Sequence, residues 1–406
     1  MQRADILIKN ANELITLKGV KRPRVKNEMD NIGIIKNGSI AIKDGLILDV
    51  GKNLKYKAET IIDAKNKTVM PGFVDPHTHL VFSGSREFEL DWKLKGMSYI
   101  DIKNKGGGIS YTVDKTRKAS STKLYNEARI RLDRMLALGT TTCEAKSGYG
   151  LNTETELKIL KTQKKLNDSH PIDIVSTFLG AHAIPKDCKK EEYIDIIIND
   201  MLPNAKKYSD FCDVFCEKGF FSNSESKKIL LEAKKHGLVP KIHADELNNT
   251  DGASLAAEVG AVSAEHLLMI SDDGIKSMAK KKVIGVMLPG TPFCLMMNKY
   301  APARKMIGSG VPIALATDLN PNCYVENMQF IIQLACFNMK MTPAEAITAS
   351  TFNAACAINR QKQVGSLEKG KQADIIILDV PNHLHIPYHF GINHVEKVIK
   401  KGCVLI

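Results

Sequence analysis

A chain of 406 residues, 44% hydrophobic and 25% charged, has enough apolar material for a large core and is not a disordered or low-complexity segment. Its net charge of +12, from 57 basic and 45 acidic residues, is scattered apart from basic clusters at Lys18–Lys26 and Lys280–Lys282; without a nucleic-acid motif beside them, the charge reads as solubility ahead of a polyanion partner or an anionic small substrate. Nine dispersed cysteines lack any Cys-x-x-Cys, no signal-like apolar region follows Met1, and the most apolar window, 283–297, is broken by Pro289, Gly290 and Pro292, so a cytoplasmic protein with reduced thiols and no membrane span is expected.

Residues 4–18 read as a strand, followed by a basic loop through Lys26. Residues 39–50 read as a hairpin turning at Lys43-Asp44-Gly45, and Ile61-Ile62-Asp63 adds a short strand. From Val69 the pattern changes. Apolar β-rich runs recur at 69–75, 140–145, 173–180, 211–217, 239–243, 261–265, 283–288 and 311–317. Helical patterns lie between most of them, at 122–138, 154–166, 191–201, 224–236, 251–259, 272–279 and 301–309. This alternation predicts an α/β fold, a (β/α)8 TIM barrel over 67–361, closed by helices at 325–337 and 342–350. After Ile358 the β pattern returns, at 375–378 and 395–405. The two β ends, 1–66 and 362–406, are each too small for a core and are expected to form one composite β-sandwich side domain.

The stretch Pro71-Gly72-Phe73-Val74-Asp75-Pro76-His77-Thr78-His79 leaves the first barrel run with a His-x-His pair. Alternation along a strand points both rings the same way, with Cα atoms about 6–7 Å apart, close enough to share an ion. Active sites of such barrels lie at the C-terminal ends of the strands. There this chain carries Lys146 to Gly150, His182, His243 with Glu246, Glu265 with His266, and Asp318 with Asn320 and Asn322. His77, His79, His243 and Asp318 make a nitrogen-and-oxygen donor set suited to one zinc or ferrous ion with room for water. Each taken alone has a plainer reading: a histidine bonded within a loop, Asp318 as a turn former, Glu246 on a solvated face. The weight rests on their recurrence at several strand ends.

The stretch from Val69 to His79 is similar to the first-strand signature of the amidohydrolase superfamily, and 365–378 resembles that superfamily's closing segment. The closer resemblance, over essentially the whole chain, is to the imidazolonepropionase family, which opens the imidazolone ring in histidine degradation. It is carried by 75–86, Gly106-Gly-Gly-Ile109, Glu144-Ala-Lys-Ser-Gly-Tyr-Gly150, Gly180-Ala-His182, His243-Ala-Asp-Glu246, Asp318-Leu-Asn-Pro321 and Pro387-Tyr-His-Phe-Gly391.

The resemblance implies hydrolysis of 4-imidazolone-5-propanoate to N-formimino-L-glutamate, with another cyclic-amide hydrolase or aminohydrolase of the superfamily as the alternative. It implies one zinc or iron ion on His77, His79, His243 and Asp318, and substrate held by Arg86, Tyr149 and His182 with Tyr99 as a helper. Asn320, Asn322 and Cys323 match the loop that touches substrate and product, although many relatives carry Gly then Ser or Thr at the last two positions. Arg86 suits a propionate carboxylate, ahead of an ion pair with Glu87 or Glu89. Glu246 can reach a ring nitrogen or the attacking water, Asp318 or His266 can take the water's proton, and His182 or His266 can hold the oxyanion. Lys146, the position where binuclear relatives bridge two metals, is read as structural. Gly106–Gly108 is expected to be a mobile loop over the site, and His383, His385 and His389 to have surface or packing roles. A homodimer is the family expectation.

Overall fold

The computed structural model describes residues 2–97 and 99–406, all but Tyr99, Ile100 and Lys103 with their side chains. The N-terminal strands are β1 (Gln2–Ile15), β2 (Ile34–Lys43), β3 (Leu46–Lys52), β4 (Tyr56–Asp63) and β5 (Thr68–Pro71). Asp44 and Gly45, both at positive φ (50° and 75°), make the two-residue turn between β2 and β3, the geometry that matches strand twist. The first half of β1 pairs with β4 and its end with β5, so this one long strand joins β4 and β5 to the same sheet as β2 and β3.

The barrel strands are β6 (Phe73–Asp75), β7 (Thr140–Lys146), β8 (Asp173–Ala181), β9 (Phe211–Cys216), β10 (Val239–Ala244), β11 (Ser263–His266), β12 (Ile284–Met287) and β13 (Ile313–Leu315). They follow one another in parallel order, with each strand bonded to the next. The first and last strands meet just beyond their ends, where Thr78 bridges Leu319, Asp318 N donates to His77 O (3.1 Å) and His79 N donates to Leu319 O (2.8 Å). One step earlier, the buried Asp75 carboxylate takes the Thr317 N–H (3.1 Å) and hydroxyl (2.5 Å). The barrel is therefore closed by the segments that carry the candidate ligands.

The chain ends with β14 (Ile375–Leu378), β15 (Val395–Lys400) and β16 (Cys403–Val404). β14 pairs antiparallel with β5, which places the two ends of the chain in one mixed sheet. Ile8, Ile40, Ile375, Ile377 and Ile399 from those ends are 0–1% exposed in a shared core, each worth about 1.5–3 kcal/mol of burial. The run expected as one barrel strand over 69–75 is thus two elements. β5 belongs to the side sheet, and the break falls at Gly72, where a Cβ would sit 2.3 Å from the Thr141 side chain. Apolar residues run through the break on both sides, so hydropathy alone does not reveal it.

The expected helices form within a few residues of their predicted bounds. Ser120, Asn152, Ser222, Ser271 and Thr342 cap them by accepting backbone N–H bonds. Among the helices not anticipated, three lie between β6 and β7: Phe88–Leu94, Tyr99–Asn104 and Ile109–Lys118. Glycines at 96 and 106–108 cut their periods too short to read. Among the described residues, no helix is long and apolar enough to cross a membrane.

Candidate active site and metal centre

His77 and His79 leave β6 on the same side, as alternation requires. Their Nε2 atoms lie 3.3 and 3.6 Å from Asp318 Oδ1. Ligand-capable atoms of His77, His79 and His243 lie within 4.8 Å of one another, and so do those of His77, His266 and Asp318. All five residues are at most 2% exposed. His77 Nε2, His243 Nε2 and Asp318 Oδ1 nevertheless make no hydrogen bond. Each such buried orphan costs about 1–3 kcal/mol, and a shared divalent cation is the partner that would satisfy all three. The donor set therefore fits a metal ion.

The rings are aimed from behind. His77 Nδ1 contacts Glu265 Oε2, and His243 Nδ1 lies 3.0 Å from Asp213 Oδ2. A carboxylate on the far nitrogen fixes the tautomer that presents Nε2 to a metal. Thr291 donates to Asp318 Oδ2 (2.5 Å), which leaves Oδ1 to the histidines. Below this tier the barrel holds a fully buried layer of two ammonium groups and three carboxylates. Lys146 Nζ reaches Asp213 (2.7 Å), Glu265 (2.9 Å) and Glu144 (3.0 Å). Lys241 Nζ reaches Glu144 (2.7 Å) and Glu265 (3.1 Å). Burial alone would lower the Lys146 ammonium, but Asp213, Glu144 and Glu265 hold it well above its usual range. Lys146 is thus a locked cation facing the acids that orient the candidate ligands.

Electrostatics separates the proton-carrying groups. Burial alone would raise the Asp318 carboxyl, yet the close approach and charge of His77, with His266 and His79, hold it below the ordinary carboxylate range. Burial pushes His266 and His182 down to about 3, so both imidazoles are neutral. Burial, with the charges of Asp318 and Glu217, pushes Glu246 up to about 8. Asp318 is therefore ionised, His266 and His182 are neutral and Glu246 is protonated, a split of environments that separates acceptor from donor. His182 Nδ1 faces the Gly148 carbonyl (3.0 Å), which assigns its proton to that nitrogen and leaves Nε2 an acceptor.

A cavity of about 570 Å³ opens above this cluster. Arg86, Tyr149, His182, Glu246, Asn320 and Asn322, all singled out from sequence, line it. The structure also forms the pairing that sequence reading ranked lower: Arg86 Nε and Nη2 donate to the two Glu89 oxygens (2.8 and 3.0 Å), and Nη1 is not engaged by Glu89. Glu89 accepts from Gly108 N as well (2.6 Å), tying the glycine loop to the arginine. The Asn320 side chain is spent on its own turn, bonded to Asp318 O and to the N–H groups of Asn322 and Cys323. Cys323 is not on the cavity wall. Its side chain is buried, with sulfur 3.7 Å from the Thr317 carbonyl and 3.7 Å from Cys294 Sγ, where a weakly polar thiol is better accommodated than in a wet cavity. The Tyr99 side chain lies outside those described. His383 is bonded to Glu13 of β1 (2.8 Å), away from the barrel mouth.

Sequence reading missed Asp213, Lys241, Thr291 and Lys93. Asp213 and Lys241 sit inside apolar strand runs, and Lys241 lies two residues before His243, on the same face. A charge two positions before a strand-end ligand was the available signal. Lys93 had none, because its helix was not foreseen; it lines the cavity and donates to Asn322 Oδ1 (2.6 Å).

Residues 68–405 match the model of the family described as "Amidohydrolase family". The chain is similar to an imidazolonepropionase of Alkaliphilus metalliredigens (strain QYMF), 52% identical over 99% of this chain and 98% of that one. It is likewise similar to an imidazolonepropionase of Geobacillus kaustophilus (strain HTA426), 50% identical over 99% and 98%. Among solved structures, an adenosine deaminase from Xanthomonas campestris with bound zinc aligns at TM-score 0.76 and 16% identity, over 99% of this chain and 93% of that one, a likeness of fold.

Proposed function

The chain belongs to the amidohydrolase family, alongside the imidazolonepropionases, and from that premise we propose that it hydrolyses 4-imidazolone-5-propanoate to N-formimino-L-glutamate in histidine degradation. The observation that carries the reading is the convergence of His77, His79, His243 and Asp318 beside a cationic end of one cavity, marked by Arg86 and Lys93. A zinc or iron ion on those four residues would polarise the ring carbonyl and supply a water close to deprotonation at neutral pH. Arg86 anchors the propionate carboxylate through the edge Glu89 leaves open, and Tyr149 closes the wall beside it. His182, an acceptor at Nε2, receives a ring N–H, which leaves His266 as the neutral donor to the oxyanion. Asp318 or His266 takes the water's proton, and Glu246, protonated at neutral pH, delivers one to the ring nitrogen that leaves. The barrel, from β6 to residue 361, carries these groups, and the composite unit, residues 1–66 with β5 and 362–406, braces it.

The test is direct: metal-loaded protein with 4-imidazolone-5-propanoate should yield a product heavier by one water. No turnover by protein that retains its metal would reject the reading. A preference for an uncharged cyclic amide would favour another hydrolase of the same family. We place the protein in the cytoplasm as a homodimer; Phe337, Leu384, Tyr388, Phe390 and Ile392, all exposed, offer an apolar patch for a second copy, and sedimentation of a Tyr388→Asp variant as a monomer would support it.

A further inference from the structure

Two cysteines from separate elements meet at the rim of the cavity. Cys294 ends the short helix Gly290–Cys294 that follows β12, and Cys323 lies in the turn that follows Asp318. Their sulfurs are 3.7 Å apart, and both are free thiols. Cys323 is fully buried, whereas Cys294 is half-buried and lines an open cleft of about 980 Å³ next to the catalytic cavity. One sulfur can be reached from solvent, and the other lies directly behind it.

We propose that Cys294 and Cys323 form a peroxide-sensitive pair that closes to a reversible disulfide at the mouth of the active site. The hydrogen bond between the two sulfurs, together with the charge of Lys93 and against the effect of burial, lowers the Cys294 thiol; the same contact and burial raise Cys323. This ordering makes Cys294 the attacking sulfur and Cys323 the resolving one. The Cys294 thiolate attacks hydrogen peroxide: an S–O bond forms, the O–O bond breaks, and hydroxide leaves with the thiol's proton as water. Cys323 sulfur then attacks the resulting sulfenic acid: the S–S bond forms, the S–O bond breaks, and a second water leaves with the Cys323 proton. Two thiols and one peroxide give one disulfide and two waters, with sulfur oxidised and peroxide oxygen reduced.

Closure has a consequence for turnover. A disulfide needs sulfurs about 2.05 Å apart, so the two elements must draw together. The turn carrying Cys323 is laced to Asp318 through Asn320, which bonds Cys323 N (2.9 Å), Cys323 O (3.0 Å) and Asp318 O (2.8 Å). The pull reaches a candidate metal ligand, and a misplacement of about 1 Å costs on the order of 100-fold in rate.

The experiment treats the reduced full-length protein with hydrogen peroxide, blocks remaining thiols with iodoacetamide and maps the peptides by mass. The expected result is a Cys294–Cys323 cross-linked peptide lighter by two hydrogens, with exposed Cys403 alkylated throughout. Turnover should fall at least tenfold and return with dithiothreitol, while Cys294→Ser protein forms no cross-link and keeps its rate under peroxide. The cross-link is read without substrate, so its failure is distinct from failure of the assigned reaction. Alkylation of both thiols after peroxide, Cys294 driven to sulfinic acid without a cross-link, or unchanged turnover in cross-linked protein would each overturn the proposal.

Discussion

On the proposed reading, Arg86 serves both stability and recognition. Its pairing with Glu89 buries both charges, at 9% and 3% side-chain exposure, and leaves one edge for a carboxylate. Arg86→Ala should raise KM by the equivalent of about 2–5 kcal/mol for the carboxylated substrate and leave turnover of a decarboxylated analogue nearly unchanged. Steady-state kinetics on the two compounds checks this, and equal losses on both would deny Arg86 a recognition role. In the proposed reaction Glu246 would act as an acid only while protonated. With its carboxyl pushed up to about 8, kcat/KM should fall as pH rises through that value. Glu246→Gln should cost about 10²–10⁴ in rate and flatten the alkaline limb. A pH profile of the variant that keeps the same limb would assign it to another group.

At the scale of elements, the barrel interior stacks two tiers, with the candidate ligands at the strand ends and an ion-pair layer beneath. Lys146→Met would leave Asp213 without its lysine and Glu144 and Glu265 with Lys241 alone. Breaking such a buried pairing costs about 3–5 kcal/mol, and loosening the acids behind His77 and His243 should weaken metal affinity about 10–100-fold. Chemical denaturation and chelator competition measure the two effects separately. The upper tier was legible in the sequence because polar residues at the ends of apolar runs stand out, as His182, His243 and Asp318 do. The lower tier was not, because Asp213 and Lys241 interrupt apolar runs and look like noise until the barrel closes around them. Gly72 was hidden for the opposite reason, since apolar residues continue on both sides of the break it makes. Cys323 sits in the expected turn, yet only the packing of that turn shows its sulfur facing Cys294 rather than the cavity.

For the whole molecule, the expected TIM barrel with a small β unit from both ends of the chain is what forms, because an eightfold alternation of strand and helix periods admits few other solutions. What periodicity could not supply was how the two ends interlock. Glu13 of β1 is one such tie, bonded to His383 (2.8 Å) and Lys36 (2.9 Å). Burial alone would raise its carboxyl, but the hydrogen bonds from His383 and Lys36 lower it from 4.5 to about 2. A depressed folded-state value adds stability above the unfolded value, and that stability is lost as pH falls from about 4.5 to about 2. The stake is up to about 3 kcal/mol, at about 1.4 kcal/mol per unit. Thermal unfolding of Glu13→Gln protein should show a shallower acid-side decline than the parent, and parallel declines would remove Glu13 from the account.

The central claim, that one metal ion on His77, His79, His243 and Asp318 drives hydrolysis of 4-imidazolone-5-propanoate, is tested most directly by elemental analysis and turnover on the same samples during chelator stripping and metal return. The expected result is a single ion per chain, with turnover proportional to occupancy and both lost together in His243→Ala protein. Substrate consumption by ion-free protein, or full metal retention without His243, would contradict it.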